Sequence, residues 1–341
     1  MKVLHVLAGP YPTRQGTQTL VGQTCRALAR AGHEIHLLAY AHAGFEREEQ
    51  FAVHRAPDRP RFSSERSGLD WRKPVLDLRL AAACARLARE LAPDLVHAHH
   101  YEALLAARAA RGVGGRGAAR PPLVFHLHAR FEPELETYLP SSFGRPARLA
   151  GALIDRCAPR LADHVIAVEP EAELLLAGRG FARGRLSTVP PPADAPLPPP
   201  PRPRAEDGRL RAVYAGNLDA YQGLDGLLDG LARLGGPPRA AARVEVVTDS
   251  ERGPLAAELQ SRGLERFVEV VAHGPFERAW ERIASAPIAL VPRSRSGGAP
   301  IKLVNALAAG QAVLADRRAT PHLEHGESAW LVEMDDPDAV A

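Results

Sequence analysis

The chain opens on a short apolar run, KVLHVLA at 2–8, and then places apolar groups at Leu20, Val21, Cys25, Leu28 and Ala29, the spacing of one helix face. Gly32 supplies a helix stop. HEIHLLAY at 33–40 alternates before it turns wholly apolar, as a strand covered on both faces does. The same order recurs in a helix at 75–91, a strand DLVHAHH at 94–100, a helix from about 101 to 111 and a strand PLVFHLHA at 122–129. Strands that alternate with helices predict a parallel sheet. The Arg-, Pro- and Ser-rich stretch 54–74 and the Gly- and Arg-rich stretch 112–120 predict surface loops.

The pattern breaks at 189–204, VPPPADAPLPPPPRPR, where repeated prolines forbid a regular helix or a central strand and favour a stiff connector. Alternation then restarts with RAVYAG at 211–216, a helix near 223–234, ARVEVVT at 242–248, a helix near 254–261 and RFVEVVA at 266–272. A helix near 277–285, the strand PIALVP at 287–292, a helix near 300–309 and the strand QAVLA at 311–315 complete a second parallel sheet. Asp336-Pro337-Asp338 is a helix-start signature near the last residue, Ala341. The fold class expected is α/β, with a Rossmann-like domain at 1–189, a proline-rich linker at 190–204 and a second Rossmann-like domain at 205–341. A length of 341 residues, beyond the range where a single core keeps growing, agrees with two domains.

Composition changes this picture little. Hydrophobic residues make up 45% and charged residues 24%, which leaves material for a sizeable core, and no run of about 18 apolar residues predicts a membrane span. A net charge of +3 fits small anionic partners such as phosphates better than nucleic acid. Cys25, Cys84 and Cys157 lack metal-type spacing and are odd in number, so no disulfide framework is expected and a cytoplasmic location fits. The start MKVLHVLAGPYPT turns at Gly-Pro too soon for a signal peptide.

Three places can carry chemistry. The loop GPYPTRQGTQT at 9–19 joins the first strand to the first helix, where open α/β sheets bind ligands, and Gly16 lets an anion approach the backbone at a helix N-terminus. The dinucleotide spacing GxGxxG is absent, so no nicotinamide cofactor is expected. His97, His99, His100, His126 and His128 cluster at strand ends and are expected to point into a cleft. They admit three readings: metal ligation, hydrogen bonding to a sugar hydroxyl or phosphate, or core packing. LVPRSRSGGAPIKLVNALAAGQAVLA at 290–315 reads strand, cationic glycine-rich loop, helix, strand. Arg293, the backbone at Gly297 and Gly298, and Lys302 in the first helical turn would together hold a diphosphate.

Taken in order, the glycine loop at Gly16, AGHEIHLL (31–38), PDLVHAHH (93–100), VFHLH (124–128), VPPPAD (189–194), YAGNLDAYQGLDGLL (214–228) and PIKLVNALAAGQAVLA (300–315) resemble the retaining GT-B glycosyltransferases of the glycogen-synthase and mannosyltransferase type, family 4. The resemblance implies two domains facing a central cleft, with a UDP-, GDP- or ADP-linked sugar on the C-terminal domain and a carbohydrate, lipid-linked or small-molecule acceptor on the N-terminal one. It implies transfer with retention, no cofactor, no metal, and Gly16 near the donor diphosphate. His128 and Gly297 fall at the family's catalytic positions, with His128 on the transferring sugar. Asn217 and Gln222 stand where the family usually has an Arg and a Lys on the diphosphate, and Arg293 and Lys302 are expected to supply that charge. Gly297 and Asn305 stand where the family carries two glutamates eight positions apart, with Asn305 still able to hydrogen-bond ribose hydroxyls. The family's final crossover helix is expected to be absent from this sequence. Contact with the inner membrane face stays open, as do two other classes of function, a non-catalytic nucleotide-sugar-binding homologue and a metal-dependent hydrolase.

Overall fold

Alternate residues of the first strand face opposite ways, and both sets are buried: Leu4 and Val6 on one side, Val3 and Leu7 on the other. In the computed structural model this strand is an interior strand, third in order, of a seven-stranded sheet. Residues 1–13, 15–41, 48–57, 70–113, 120–135, 144–193, 208–219, 222–274, 276–293, 300–320 and 322–341 are described. The chain divides into two units at Pro192/Ala193. Of the expected linker, 194–204 lies outside the described residues, as do Gly297 and Gly298.

The first unit runs β1 (Lys2–Pro10), α1 (Gly16–Arg30), β2 (Glu34–Tyr40), β3 (Ala52–Ala56), α2 (Lys73–Leu91), β4 (Leu95–His99), α3 (Tyr101–Val113), β5 (Leu123–Leu127), α4 (Phe131–Leu135), α5 (Gly144–Cys157), β6 (His164–Ala167), α6 (Pro170–Gly178) and β7 (Leu186–Thr188). The strand order is β3-β2-β1-β4-β5-β6-β7, and each pairing is parallel. Leu4, Val6, Leu38 and Tyr40 share a core with Leu76, Leu80 and Leu87 of α2 and Leu104 of α3. Val3, Leu7, Ile35 and Leu37 pack on the opposite face with Val21 and Cys25 of α1, the helical stripe legible in the sequence.

The second unit runs β8 (Leu210–Ala215), α7 (Leu224–Arg233), α8 (Gly236–Ala241), β9 (Ala242–Val247), α9 (Gly253–Ser261), β10 (Val268–Val271), α10 (Phe276–Ala284), β11 (Ile288–Val291), α11 (Ile301–Ala308), β12 (Ala312–Asp316), β13 (Trp330–Val332) and α12 (Pro337–Val340). Its parallel sheet has the order β10-β9-β8-β11-β12-β13. Tyr214, Val244, Val246 and Leu290 meet the leucines of α7 and α9 on one face. Val291, Val313 and Ala315 meet Leu303 and Ala306 of α11 on the other.

Both sheets follow the alternation of the sequence, and the departures are short strands together with α4, α5 and α6, in a stretch of 130–188 for which no element was expected. β3 runs into the beginning of a stretch read as loop from residue 54, and β6, β7 and β13, of four residues or fewer, were passed over. Asp336 does open a helix: its carboxylate accepts from the backbone N–H groups of Asp338 and Ala339 at 3.1 and 3.3 Å.

Gly226 and Gly230 of α7 let the segment 334–340 lie against the helix. A Cβ on Gly226 would fall 2.0 Å from the Met334 carbonyl oxygen, and one on Gly230 would fall 2.3 Å from Val340 Cγ1. Backbone cannot swing aside as a side chain does, so Gly226→Ala is expected to cost about 1–3 kcal/mol in urea unfolding, the range of an overpacked core. Gly178→Ala, with open space at its Cβ, is expected to be neutral within about 1 kcal/mol.

Candidate functional site

In the second sheet the strand order reverses between β8 and β11, and open α/β sheets bind ligands outside the carboxyl ends of the strands at such a point. Lys302 meets there three polar side chains of the segment 217–222, about 80 positions earlier in the sequence. Lys302, in the first turn of α11, donates to Gln222 Oε1 at 2.6 Å, and Gln222 Nε2 donates to Asn217 Oδ1 at 2.8 Å. Asn217 Nδ2 donates in turn to Asp219 at 3.0 Å. The buried Tyr214, on β8, donates its hydroxyl to the Asn217 carbonyl at 2.5 Å and lies beneath the ammonium, whose Nζ stands 4.4 Å from the ring centroid.

The chain reaches this geometry through Gly216, whose φ of +150° ends β8 in a conformation open to glycine. A Cβ there would stand 2.9 Å from Lys302 Nζ, so the missing side chain is the space that the ammonium fills. Burial, with the Arg293 guanidinium beside it, brings the Lys302 ammonium down to about 7. The structure therefore brings together Asn217, Gln222 and Lys302, with Arg293 within electrostatic reach. Asn305 lies one turn further along the same helix.

The first unit has its own reversal, between β1 and β4. Gly16 is the exposed first residue of α1. The loop before it is braced by Tyr11, whose hydroxyl donates to Glu49 at 2.6 Å while Arg26 pairs with the same carboxylate at 3.1 Å.

The histidines form one buried row. His97, His99, His126 and His128 are at most 6% exposed and lie packed on the sheet, because in-register parallel strands stack equivalent side chains. They are joined by His5, which the sequence reading passed over: His5 pairs with His97, and His99 pairs with His126. His5 Nδ1 and His99 Nε2 are 2.9 Å apart, and His99 Nδ1 and His128 Nε2 are 3.0 Å apart. His5 Nε2, His97 Nε2 and both nitrogens of His126 are buried with no hydrogen-bond partner. His100 departs from the row, at a left-handed φ of 77° between β4 and α3. Matching alternate positions across neighbouring strands would have revealed His5.

Asp155 is a second residue that the sequence did not disclose. Buried on α5, it accepts from the Tyr101 hydroxyl at 2.5 Å and from the backbone N–H groups of Phe131 and Glu132 at 2.8 and 3.0 Å. It thereby fixes the start of α4, three residues past His128.

Comparison with known proteins bears on both units. The profile described as Glycosyltransferase Family 4 matches residues 14–195, and that described as Glycosyl transferases group 1 matches residues 209–341. The chain belongs to glycosyltransferase family 4. No curated protein matches it. Among solved structures, Anabaena HepE in complex with UDP and glucose is 17% identical with a TM-score of 0.70, over 100% of this chain and 88% of that one. The sucrose-phosphate synthase of Thermosynechococcus elongatus is 16% identical with a TM-score of 0.78, over 99% and 87%. These likenesses show the fold, and the two successive Rossmann-like units of this family 4 chain are the GT-B architecture. Among the described residues, no helix is long and apolar enough to cross a membrane.

The buried imidazoles have a consequence for stability. Burial holds His126 down at about 4 and, with the charge of His126 added, His5 at about 3; an unfolded histidine titrates near 6.5. Between about pH 4 and 6.5 the unfolded chain binds more protons, so stability is complete above that window and is lost as pH falls through it. Each such histidine contributes about 1.4 kcal/mol per pH unit there. Urea midpoints measured from pH 7 to pH 5 are expected to fall steeply, and His126→Phe is expected to flatten the profile.

Proposed function

We propose that this chain transfers a sugar from a nucleoside-diphosphate sugar to an acceptor hydroxyl, with retention of configuration and with protein cations rather than a metal at the diphosphate. The observation that carries this reading is the Lys302, Gln222 and Asn217 assembly at the switch point of the second sheet, with Arg293 beside it. The complexes of HepE with UDP and glucose and with UDP-glucose support the donor class.

As the bond from the sugar to the diphosphate breaks, negative charge grows on the departing phosphate oxygen, and prepositioned cations stabilise it. The acceptor hydroxyl enters from the same face, its oxygen bonds to the anomeric carbon, and its proton passes to the leaving phosphate. This route needs no carboxylate nucleophile, in keeping with Gly297 and Asn305 at the two positions where the family resemblance implies glutamates. An amine poised near pH 7 is half charged when free, and an arriving diphosphate raises its pKa. Donor binding and protonation of Lys302 are therefore coupled.

At pH 8, UDP binding is expected to take up close to one proton per site, and this uptake is expected to vanish below about pH 6, where Lys302 is already charged. Calorimetry in buffers of different ionisation enthalpy measures it. Lys302→Met is expected to weaken UDP binding about tenfold or more and to abolish the uptake; unchanged binding and uptake would remove Lys302 from the donor site. Sugar transfer, or steady donor hydrolysis, separates an enzyme from a binding module.

One surface favours a lipid-linked acceptor at an anionic membrane. The solvent face of α5 carries Leu149 and Leu153, 73% and 62% exposed, among Arg145, Arg148 and Arg156, while the one acid of the helix, Asp155, is buried. The chain is expected to sediment with phosphatidylglycerol vesicles at low salt and not with phosphatidylcholine vesicles. Replacing both leucines by Gln is expected to reduce the bound fraction several-fold; binding untouched by that change would exclude this face.

A further inference from the structure

We propose that His5, His97 and His99 form a binding site for one first-row transition-metal cation of the zinc class inside the sheet of the first unit. His97 and His99 are two apart on β4 and project from the same face, and His5 stands on the neighbouring strand in register with His97. The ring centroids are 4.4 Å apart for His97 and His99, 4.8 Å for His5 and His97, and 5.3 Å for His5 and His99. One nitrogen from each ring lies within 4.8 Å of the other two.

Two nitrogens bound to tetrahedral zinc at about 2.0–2.1 Å are about 3.3 Å apart. His5 Nδ1 and His99 Nε2 are already 2.9 Å apart, so that pair needs an outward shift of a few tenths of an ångström to hold an ion in place of a shared proton, and the His97 nitrogen closes on it from within 4.8 Å. Hydrogen bonding alone accounts poorly for this cluster. A neutral imidazole has one donor and one acceptor, yet His97 Nε2 is buried without a partner, and an ion held with His5 Nδ1 and His99 Nε2 would supply one. Burial also keeps the three rings unprotonated, the state in which they ligate. With three neutral ligands, the fourth position remains for water.

The second histidine trio, His99, His126 and His128, shares His99, and the two roles are compatible. A histidine that ligates through Nε2 donates its Nδ1–H outward, and His99 Nδ1 faces His128 Nε2 at 3.0 Å. His128 then accepts at Nε2 and keeps its proton on Nδ1, ready to donate to a sugar hydroxyl. That last consequence rests on the proposed transferase reading; the metal site does not.

The test uses tag-free, full-length protein purified from zinc-supplemented and, separately, cobalt-supplemented cultures, so that loading accompanies folding. The expected result is about one zinc ion per chain by mass spectrometry and, in the cobalt-grown protein, the visible ligand-field absorption of four-coordinate Co2+. His97→Gln is expected to lower the metal content about tenfold or more, while His54→Gln is expected to leave it unchanged, because His54 pairs with His36 at 3.0 Å elsewhere in the unit. Folding of each variant is checked by circular dichroism. Should His97→Gln fail to fold, the wild-type stoichiometry and cobalt spectrum decide alone. Folded wild-type protein with under about one-tenth of an ion per chain and no cobalt band overturns the proposal, as does full metal content in folded His97→Gln. UDP binding, measured on the same preparations, reports separately on the donor site.

Discussion

The in-register parallel ladder is the constraint on which the rest of this molecule depends. It aligns equivalent positions of neighbouring strands in rows across the sheet and delivers every strand's carboxyl end to the same edge. Where a row is apolar, the outcome is core, as in Val3, Leu7, Ile35 and Leu37. Where the row carries imidazoles, the outcome is the stack from His5 to His128. At the edge of the second sheet, residues 80 or more positions apart become neighbours because β8 and β11 end side by side, as with Gln222 and Lys302.

Lys302 shows how such an edge concentrates charge. A buried ammonium is costly unless it is solvated by the protein, and here Gln222 accepts from it while the Tyr214 ring lies beneath. Both contacts are neutral, so they hold the amine without neutralising it, and Arg293 adds repulsion. A carboxylate in place of Gln222 would pair with the amine and remove the attraction for an incoming anion; another cation at Asn217 or Gln222 would press Lys302 further toward its neutral form. Two amides at these positions leave one amine poised close to neutrality.

The alternation of strands and helices was legible because both sheets are buried on both faces and write long apolar runs into the sequence. The short strands β6, β7 and β13 were passed over. Lys302, Asn217 and Gln222 were singled out one by one from motif positions, but their hydrogen-bonded chain depends on a sheet order that no local pattern states. HAHH and HLH show which histidines share a strand face, but that His5 joins their row depends on the register of β1 with β4, which neither motif states. Asp155 was invisible for a similar reason, as its three donors come from α3 and α4.

The two edges of the first sheet treat polar groups in opposite ways, and the contrast bears on function. At the amino edge the Lys2 N–H donates to the Asp94 carboxylate and the Leu123 N–H to that of Asp163, each at 2.7 Å. Asp94 and Asp163 donate their own N–H groups back to the carbonyls of Lys2 and Leu123 at 2.9 and 2.8 Å. Those pairs are closed and leave nothing for a ligand, which suits a purely structural role. Toward the carboxyl edge the accounting stays open, with four imidazole nitrogens of His5, His97 and His126 buried and unpartnered. Each such group costs about 1–3 kcal/mol against a satisfied one. A fold that closes its hydrogen bonds so completely at one edge and leaves such a cost standing toward the other has its binding capacity on the open side.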